Sequence, residues 1–451
     1  MIPLITKVFN DYNFSGFVYV SAGENEFFMK NGYADRKKRV EFNRSIKFPL
    51  ASLTKQFTSF AVLLCHDRGL LNINDKIVKY IPLYPLDIDV TLIDLMGMIS
   101  GIKDIYTGSE TLVFESTGDY WQRNRDIFYR DISTDEVVSL LNEKRFRYVP
   151  GSGFQYSNFN YRLLGTVIEQ VSGTSLEAFM HENIFAPLEM YDTCLGTEKS
   201  EVKSYDRDLF TGDVLNKGAD MGVVSTVDDM KKWVDALCQR RLLSEKSYDV
   251  FFTPKESGYC CGMWKDKNIY KHDGKLMCIN IDMSLNMVNR EFMLSFRNCD
   301  PIPSNDMRIA YYPIVRSDDG ILKLEVWDMK ENCEIIVDSV ELLDINGRVM
   351  YSQDGGIIHV INDDNERNAV DFADESIRSV TFDLKKLLGD AFSTHGSYLL
   401  RVCASCGSLA QLGLVYRSNG ESTSMYFNIF NSSDMAWQLF CESINSISTL
   451  L

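Results

Sequence analysis

The sequence predicts an α/β (α+β) chain in two parts: helices and strands alternating over residues 1–303, then a β-rich accessory region over 304–451. Three observations carry that prediction. Helical and strand periodicities alternate through the first part. The run Pro301-Ile-Pro303-Ser-Asn-Asp then interrupts them in the manner of a linker. Beyond Pro313 the chain has no further proline and consists of short β-rich runs. A length of 451 residues suits two domains better than one, and a hydrophobic content of 45% is enough to fill a real core.

In chain order, Ser15–Ala22 and Glu26–Tyr33 read as strands joined by a turn at Gly23-Glu24-Asn25. A helix is expected to open at Ser52, with Phe57, Phe60, Ala61, Leu64 and Cys65 on one apolar face and a stop at Arg68-Gly69. A second helix opens near Asn158, carries Tyr161, Leu164, Ile168 and Val171 at helical spacing, and ends at Gly173. Thr226-Val-Asp-Asp229 resembles a capping box, with Asp for the usual Glu, ahead of a helix through Trp233 and Leu237. Three or four strands are expected between Tyr259 and Arg297, with Cys260-Cys261 as buried strand residues. In the second part Ile321–Trp327, Glu334–Val340, Ile357–Ile361, Ser379–Leu384, Tyr398–Ala404, Gln411–Tyr416 and Met425–Phe430 read as strands, and Asn346-Gly347 as a hairpin turn. Many short strands at this spacing suggest a sandwich or small barrel.

A formal net charge of −16 argues against nucleic acid or an anionic membrane surface as a partner. No run approaches the ~18 apolar residues of a membrane span. The N-terminal stretch MIPLITKVFNDYNFSG lacks a basic segment followed by a long apolar run, so a cytoplasmic location is expected. The 11 cysteines then read as reduced thiols rather than a disulfide framework. Cys403-Ala-Ser-Cys406 has no second C-x-x-C and no histidine cluster beside it, so no metal or other cofactor is expected. The oligomeric state is not legible in the sequence.

The stretch with most chemical content is Ser52-Leu53-Thr54-Lys55, in FPLASLTKQFTSFAVLLCHDRGLL. Serine and lysine three apart share a helix face, so the amine reaches the hydroxyl. S-x-x-K marks the nucleophile of β-lactamases and penicillin-binding proteins. The second copy, Ser200-Glu-Val-Lys203, lies in a polar stretch and reads as accidental. Serine needs a base at neutral pH. Lys55 serves if burial depresses its pKa, and Tyr156 near it would be drawn toward phenolate, the two titrating as a coupled pair. One oxyanion donor would be the Ser52 N–H at the helix start, and the other most naturally the N–H of Lys275. Tyr156-Ser157-Asn158 and His272-Asp273-Gly274 follow Ser52 in order.

On these residues the first part resembles the serine hydrolase family of class C β-lactamases, D-alanyl-D-alanine carboxypeptidases, D-aminopeptidases and related esterases. The resemblance extends through VTLIDLMGMISGI, FRYVPGSGFQYSNFNYRLLGTVIEQVSGTSLEAFMHENIFAPLEMYDT, GADMGVVSTVDDMKKW and KHDG. It implies a β-lactamase/transpeptidase-like antiparallel sheet built from both ends of this part and flanked by helices, with Ser52 as nucleophile and Lys55 as its proton partner. Tyr156 would be the general base or acid, and Asn158 would hydrogen-bond the substrate or Lys55. His272, standing where relatives have a lysine, would be a further catalytic residue on the strand that docks the substrate, and Asp273, Gly274 and Lys275 would bind the substrate along it. Two departures bear on the site. Met98 stands in Leu95–Gly101 where relatives often have a histidine, which puts polar contacts in that loop in doubt. Lys271, Lys275, Cys278 and Ile279 replace the usual glycine-rich surroundings of His272. Asp273 would favour a substrate with a free amine, or be neutralised by Lys271 and Lys275.

The reading that follows is a serine hydrolase acting through an acyl-enzyme on a small-molecule or peptide amide or ester. It favours a D-amino-acid peptidase or esterase over a true β-lactamase. One alternative is a penicillin-binding-protein-type thioesterase or peptide cyclase, and another is a catalytically inactive binding or scaffold module. Tyr106–Asp131, with Trp121 and Arg125, is expected to form one wall of the pocket.

Overall fold

A computed structural model describes residues 15–81, 89–104 and 148–298 apart from positions 24, 207, 208 and 214, together with the strands and helix of the second part given below. The linker at Pro301 and the segment with Trp121 and Arg125 lie outside the described residues. Two compact units emerge, one spanning Ser15–Cys299 and one that takes in Asp300–Leu451.

The first unit is organised on a six-stranded antiparallel sheet. Its strands are β1 (Gly16–Ala22), β2 (Asn25–Asn31), β3 (Trp264–Asp266), β4 (Ile269–Leu276), β5 (Ile279–Asn286) and β6 (Glu291–Arg297), in the order β3-β4-β5-β6-β1-β2. Both ends of the unit therefore meet in one sheet, Gly16 pairing with Arg297 and Ala22 with Glu291. The central strands β1 and β6 are buried on both faces, which is why GFVYVSA and EFMLSFR read as nearly continuous apolar runs. Edge strand β2 is exposed at both ends and keeps its polar residues there.

The nucleophile helix α1 (Thr54–Asp67) follows a tight 3-10 turn over Ala51–Leu53. It is buried on all sides from Thr54 to Cys65, so the apolar face predicted for it is only part of what it buries. The polar residues between the apolar ones are each paired. Thr54 Oγ1 accepts from the Val223 N–H, Gln56 Oε1 accepts from Trp233 Nε1, Thr58 Oγ1 donates to the Ala219 carbonyl, and Ser59 shares a hydrogen bond with Tyr161. A polar stripe on a helix reads as a solvated face in sequence, yet here it is a row of buried donors and acceptors that fixes the helix against its neighbours.

Helices α2 (Leu92–Met96), α3 (Asn158–Ser172), α4 (Leu176–Met180), α5 (Val227–Cys238) and α6 (Glu245–Phe252) complete the described helices of this unit. Gly173 ends α3 in the left-handed conformation, as its position after Val171 predicts. Of the capping box expected at α5 only half forms. Thr226 accepts from the Asp229 N–H, while the Asp229 carboxylate turns to the Asp192 N–H, the Thr193 hydroxyl and Lys232. A complete box caps α2 instead, from Thr91 and Asp94. Cys260 and Cys261 are buried, but in a bend between the bridged residues Tyr259 and Trp264 and not in a strand. The bend arises because Gly262, at φ +93°, lies against the Lys55–Gln56 backbone, where a Cβ would come within 2.7 Å of Gln56 N.

The second unit holds two antiparallel sheets. Strands β7 (Arg308–Ile314), β13 (Tyr398–Cys406), β9 (Cys333–Asp344) and β10 (Val349–Asp354) form one in that order, with β11 (Ile357–Val360) also paired to β9. Strands β12 (Ser379–Asp383), β8 (Ile321–Met329), β14 (Ala410–Ser418) and β15 (Glu421–Ile429) form the other, and a short helix α7 (Leu384–Leu388) follows β12. Val340 pairs with Val402 and Leu342 with Leu400, all four buried, giving the first sheet an apolar face. Strands β9 and β10 flank Asn346-Gly347 as an antiparallel pair, and Cys403 and Cys406 fall on β13. No helix among the described residues is long and apolar enough to cross a membrane.

Candidate active site

Ser52 sits in the 3-10 turn before α1 and is half-buried. Ala51 before it adopts φ +46°, a left-handed conformation uncommon for any residue with a Cβ. One turn on, the Lys55 side chain is fully buried, and Nζ lies 3.0 Å from Ser52 Oγ and 2.9 Å from the Asp220 carbonyl. It also lies 5.2 Å from the ring centre of Tyr156 and 5.7 Å from that of Tyr161. Burial brings the Lys55 pKa down to about 8, while Asp220, Asp104 and Asp273 oppose the shift.

Asp220, which the sequence reading did not single out, is itself anchored. Its carboxylate is 2.6 Å from Arg162 Nε on α3, and both side chains are buried. That pair, with the Thr58 bond to the Ala219 carbonyl, holds the backbone whose next carbonyl receives Lys55. The signal for it was present as a lone arginine among apolar residues in NFNYRLL and an acid in GADMGVV.

Tyr156 precedes α3, its ring centre 5.2 Å from Lys55 Nζ and its phenol under the influence of the Ser52 hydroxyl. Burial holds its pKa well above the usual phenol value, and the Ser52 hydroxyl only partly offsets this. The direction of this shift, set by burial, runs against the phenolate expected for Tyr156. Of the two partners expected for Asn158, Lys55 is not the one found: its Nδ2 donates to Asp104 Oδ2 at 2.8 Å. Asp104 closes the Ser100–Asp104 segment and is buried.

Strand β4 forms the other wall. Tyr270, His272, Gly274 and Leu276 alternate as buried residues with Lys271 and Asp273, which are exposed, and Lys275, which is half-buried. At Gly274 a Cβ would come within 2.9 Å of the Leu50 carbonyl and 3.1 Å of Ala51 Cβ, so the missing side chain lets the strand approach the turn that carries Ser52. His272 is only 2% exposed. Its Nδ1 lies 2.5 Å from the Asp273 carbonyl and its Nε2 3.4 Å from the Tyr259 hydroxyl. A carbonyl only accepts, so Nδ1 carries the proton and Nε2 is left as acceptor. Burial lowers its pKa to about 4, and the ring is neutral at pH 7.

The polar contacts doubted for the loop at Met98 exist, made by sulfur. Met98 Sδ accepts from the Ser157 N–H at 3.3 Å and from Asn160 Nδ2 at 3.6 Å. The second S-x-x-K copy forms no comparable site: Ser200 Oγ donates to the Lys47 and Val202 carbonyls, and Lys203 pairs with Asp213.

The sequence model of the family described as Beta-lactamase matches residues 5–259. Among curated relatives, the chain is 31% identical over 184 residues to penicillin-binding protein 4* of Bacillus subtilis, covering 40% of this chain and 38% of that protein. It is 24% identical over 284 residues to a putative penicillin-binding protein, PbpX, of the same organism, covering 59% of this chain and 66% of the relative. The chain thus spans less than two thirds of the length of these curated relatives. Among solved structures, a penicillin-binding protein from Bacillus halodurans superposes with a TM-score of 0.57 at 24% identity, covering 65% of this chain and 95% of that one. A D-amino acid amidase from Ochrobactrum anthropi SV3 gives 0.54 at 20% identity, covering 66% and 92%. At these identities the likeness shows a shared fold.

Proposed function

Because the chain belongs to the Beta-lactamase family, we propose that it is a serine hydrolase that cleaves an amide or ester through an acyl-enzyme on Ser52, acting on D-amino-acid amides, peptides or esters in preference to β-lactams. The observation that carries this reading is the buried Lys55 amine 3.0 Å from Ser52 Oγ, with a pKa of about 8. Near neutral pH a useful fraction of the amine is unprotonated and accepts the Ser52 proton as Oγ attacks. The Tyr156 phenol, beside Lys55 and Ser52, is the acid that delivers a proton to the leaving group. The N–H groups of Ser52 and Lys275 are assigned to the developing oxyanion. The proton held by Lys55 passes to Tyr156 and resets both groups. Water then attacks the acyl-enzyme, giving its proton to Lys55 while Tyr156 returns one to Ser52 Oγ.

We place His272 in positioning and not in proton transfer, because both ring nitrogens are engaged within the protein. The preference against β-lactams rests on the same wall. A β-lactam carries a carboxylate, and where relatives offer it a lysine this strand offers a neutral buried imidazole followed by exposed Asp273.

Intact-protein mass after exposure to a fluorophosphonate and, separately, to a penicillin tests the reading. A stoichiometric fluorophosphonate adduct is expected on wild type and not on Ser52→Ala. No adduct from either reagent would overturn it in favour of a binding module. Paired D- and L-aminoacyl anilides then test the substrate class, and a linear peptide thioester separates hydrolysis from cyclisation.

A further inference from the structure

Two hydrogen bonds tie the backbone around Tyr156 to Met98. Met98 is fully buried and adopts φ +58°, a left-handed conformation disfavoured for a long side chain. From that backbone its carbonyl accepts the Gln155 N–H at 2.9 Å and its sulfur accepts the Ser157 N–H at 3.3 Å. The peptide group that follows Tyr156 and the one that precedes Gln155 are thus tied to one residue. Ser157 is extended at φ −147°, ψ 115°, outside the hydrogen-bond ladder of α3, so its N–H has no helical partner to fall back on. The same sulfur takes Asn160 Nδ2 from the first turn of α3, and Asn160 Oδ1 accepts from Ser100 two residues beyond Met98.

We infer that Met98 is a positioning residue for Tyr156: its sulfur and carbonyl clamp residues 155–160 so that the phenol meets Ser52. The inference rests on the proposed role of Tyr156 in proton transfer. Fixing the Ser157 N–H fixes the peptide plane that follows Tyr156, and through it the direction in which the phenol projects. The acceptor is what matters, because a hydrocarbon of the same shape would fill the volume and leave a buried N–H without a partner.

The test compares wild type with Met98→Leu, which keeps the bulk and removes the acceptor, and Met98→Gln, which restores an acceptor oxygen at similar reach. Each is assayed for kcat, KM and the pH dependence of kcat on an ester substrate, with circular dichroism and melting temperature alongside. Met98→Leu should lower kcat about 10-fold or more, with displacements of about 1 Å able to cost ~10²-fold, while KM stays within about 3-fold and the pH profile shifts. Met98→Gln should recover most of kcat. Equal kcat and an unchanged pH profile in folded Met98→Leu would overturn the proposal. So would a deficit that Met98→Gln shares in full. If Met98→Leu does not fold, Met98→Gln decides alone: near-wild-type kcat supports the clamp, and a 10-fold loss in a folded protein overturns it. Tyr156→Phe runs in parallel. If it retains wild-type kcat, the assignment of Tyr156 fails on its own account, whatever the Met98 variants do.

Discussion

Helix α1 and strand β4 meet at the turn that carries Ser52, and they manage their polar groups in opposite ways. On α1, Thr54, Lys55, Gln56, Thr58 and Ser59 are all buried and hydrogen-bonded to other elements. None can change without stranding a partner. On β4, polar Lys271 and Asp273 face outward, while the inward row of Tyr270, His272, Gly274 and Leu276 is packed. The helix wall holds the proton-transfer chemistry in a closed network. The strand wall serves that proposed chemistry through its backbone, by the close approach at Gly274 and the Lys275 N–H, and leaves its outer side chains open to variation.

The comparison breaks first at Gly274. A Cβ there would lie 2.6 Å from Ile281 Cγ2 as well as against Leu50 and Ala51, so Gly274→Val should push the strand from the nucleophile turn. The expected result is a fall in kcat of ~10²-fold, the scale of an ångström's misplacement, in a protein whose circular dichroism is preserved. A wild-type rate would put the strand outside the reaction and leave α1 as the whole machine.

The next test falls on the support of the helix wall. Arg162→Met leaves the buried Asp220 carboxylate without its guanidinium, and removing one partner of a buried pair costs ~3–5 kcal/mol. Chemical denaturation should register that loss. Labelling of Ser52 by a fluorophosphonate should slow as well, because the Asp220 carbonyl orients Lys55. Stability loss with unaltered labelling would show that Lys55 is held without it.

These two tests also mark how far the sequence could be read. Strand and helix order followed from periodicity, and Gly173 and Arg68-Gly69 ended their helices as expected, because those signals are local. The spacing of Ser52 and Lys55 was equally local, since it needs only one helical turn. Asp220, Arg162 and Asp104 show no role in the sequence, because each meets its partner (Arg162 with Asp220, Asp104 with Asn158) only across the fold. The contacts of Met98 were missed for a different reason. A methionine in place of a histidine reads as a lost polar group, and only its left-handed backbone reveals that the sulfur is presented to two donors. The neutrality of His272 likewise depends on burial and on the Lys55 charge, which its K-H-D-G neighbours do not announce.

The smallest expected effect concerns the outer row of the strand. Lys55 is pulled down to about 8 by burial and held up in part by Asp220, Asp104 and Asp273. The rate should therefore rise with pH along a limb centred near 8, where the amine loses its proton. Stability should follow the same group with a defined sign. Between about 8 and the ordinary lysine value of 10.5 the unfolded chain binds the proton that the folded one has released, so this contribution to stability grows as pH rises through that window. Asp273 is the one exposed member of the carboxylate set. Asp273→Asn should move the activity limb to lower pH, and only slightly, because its field reaches Lys55 partly through water. Added salt should shrink the difference between the variant and wild type, since at 1 M the screening length is only ~3 Å. A limb that shifts in Asp273→Asn and stays shifted at high salt would mean that Asp273 acts from inside the closed network, and the division between a chemical wall and a variable one would no longer hold.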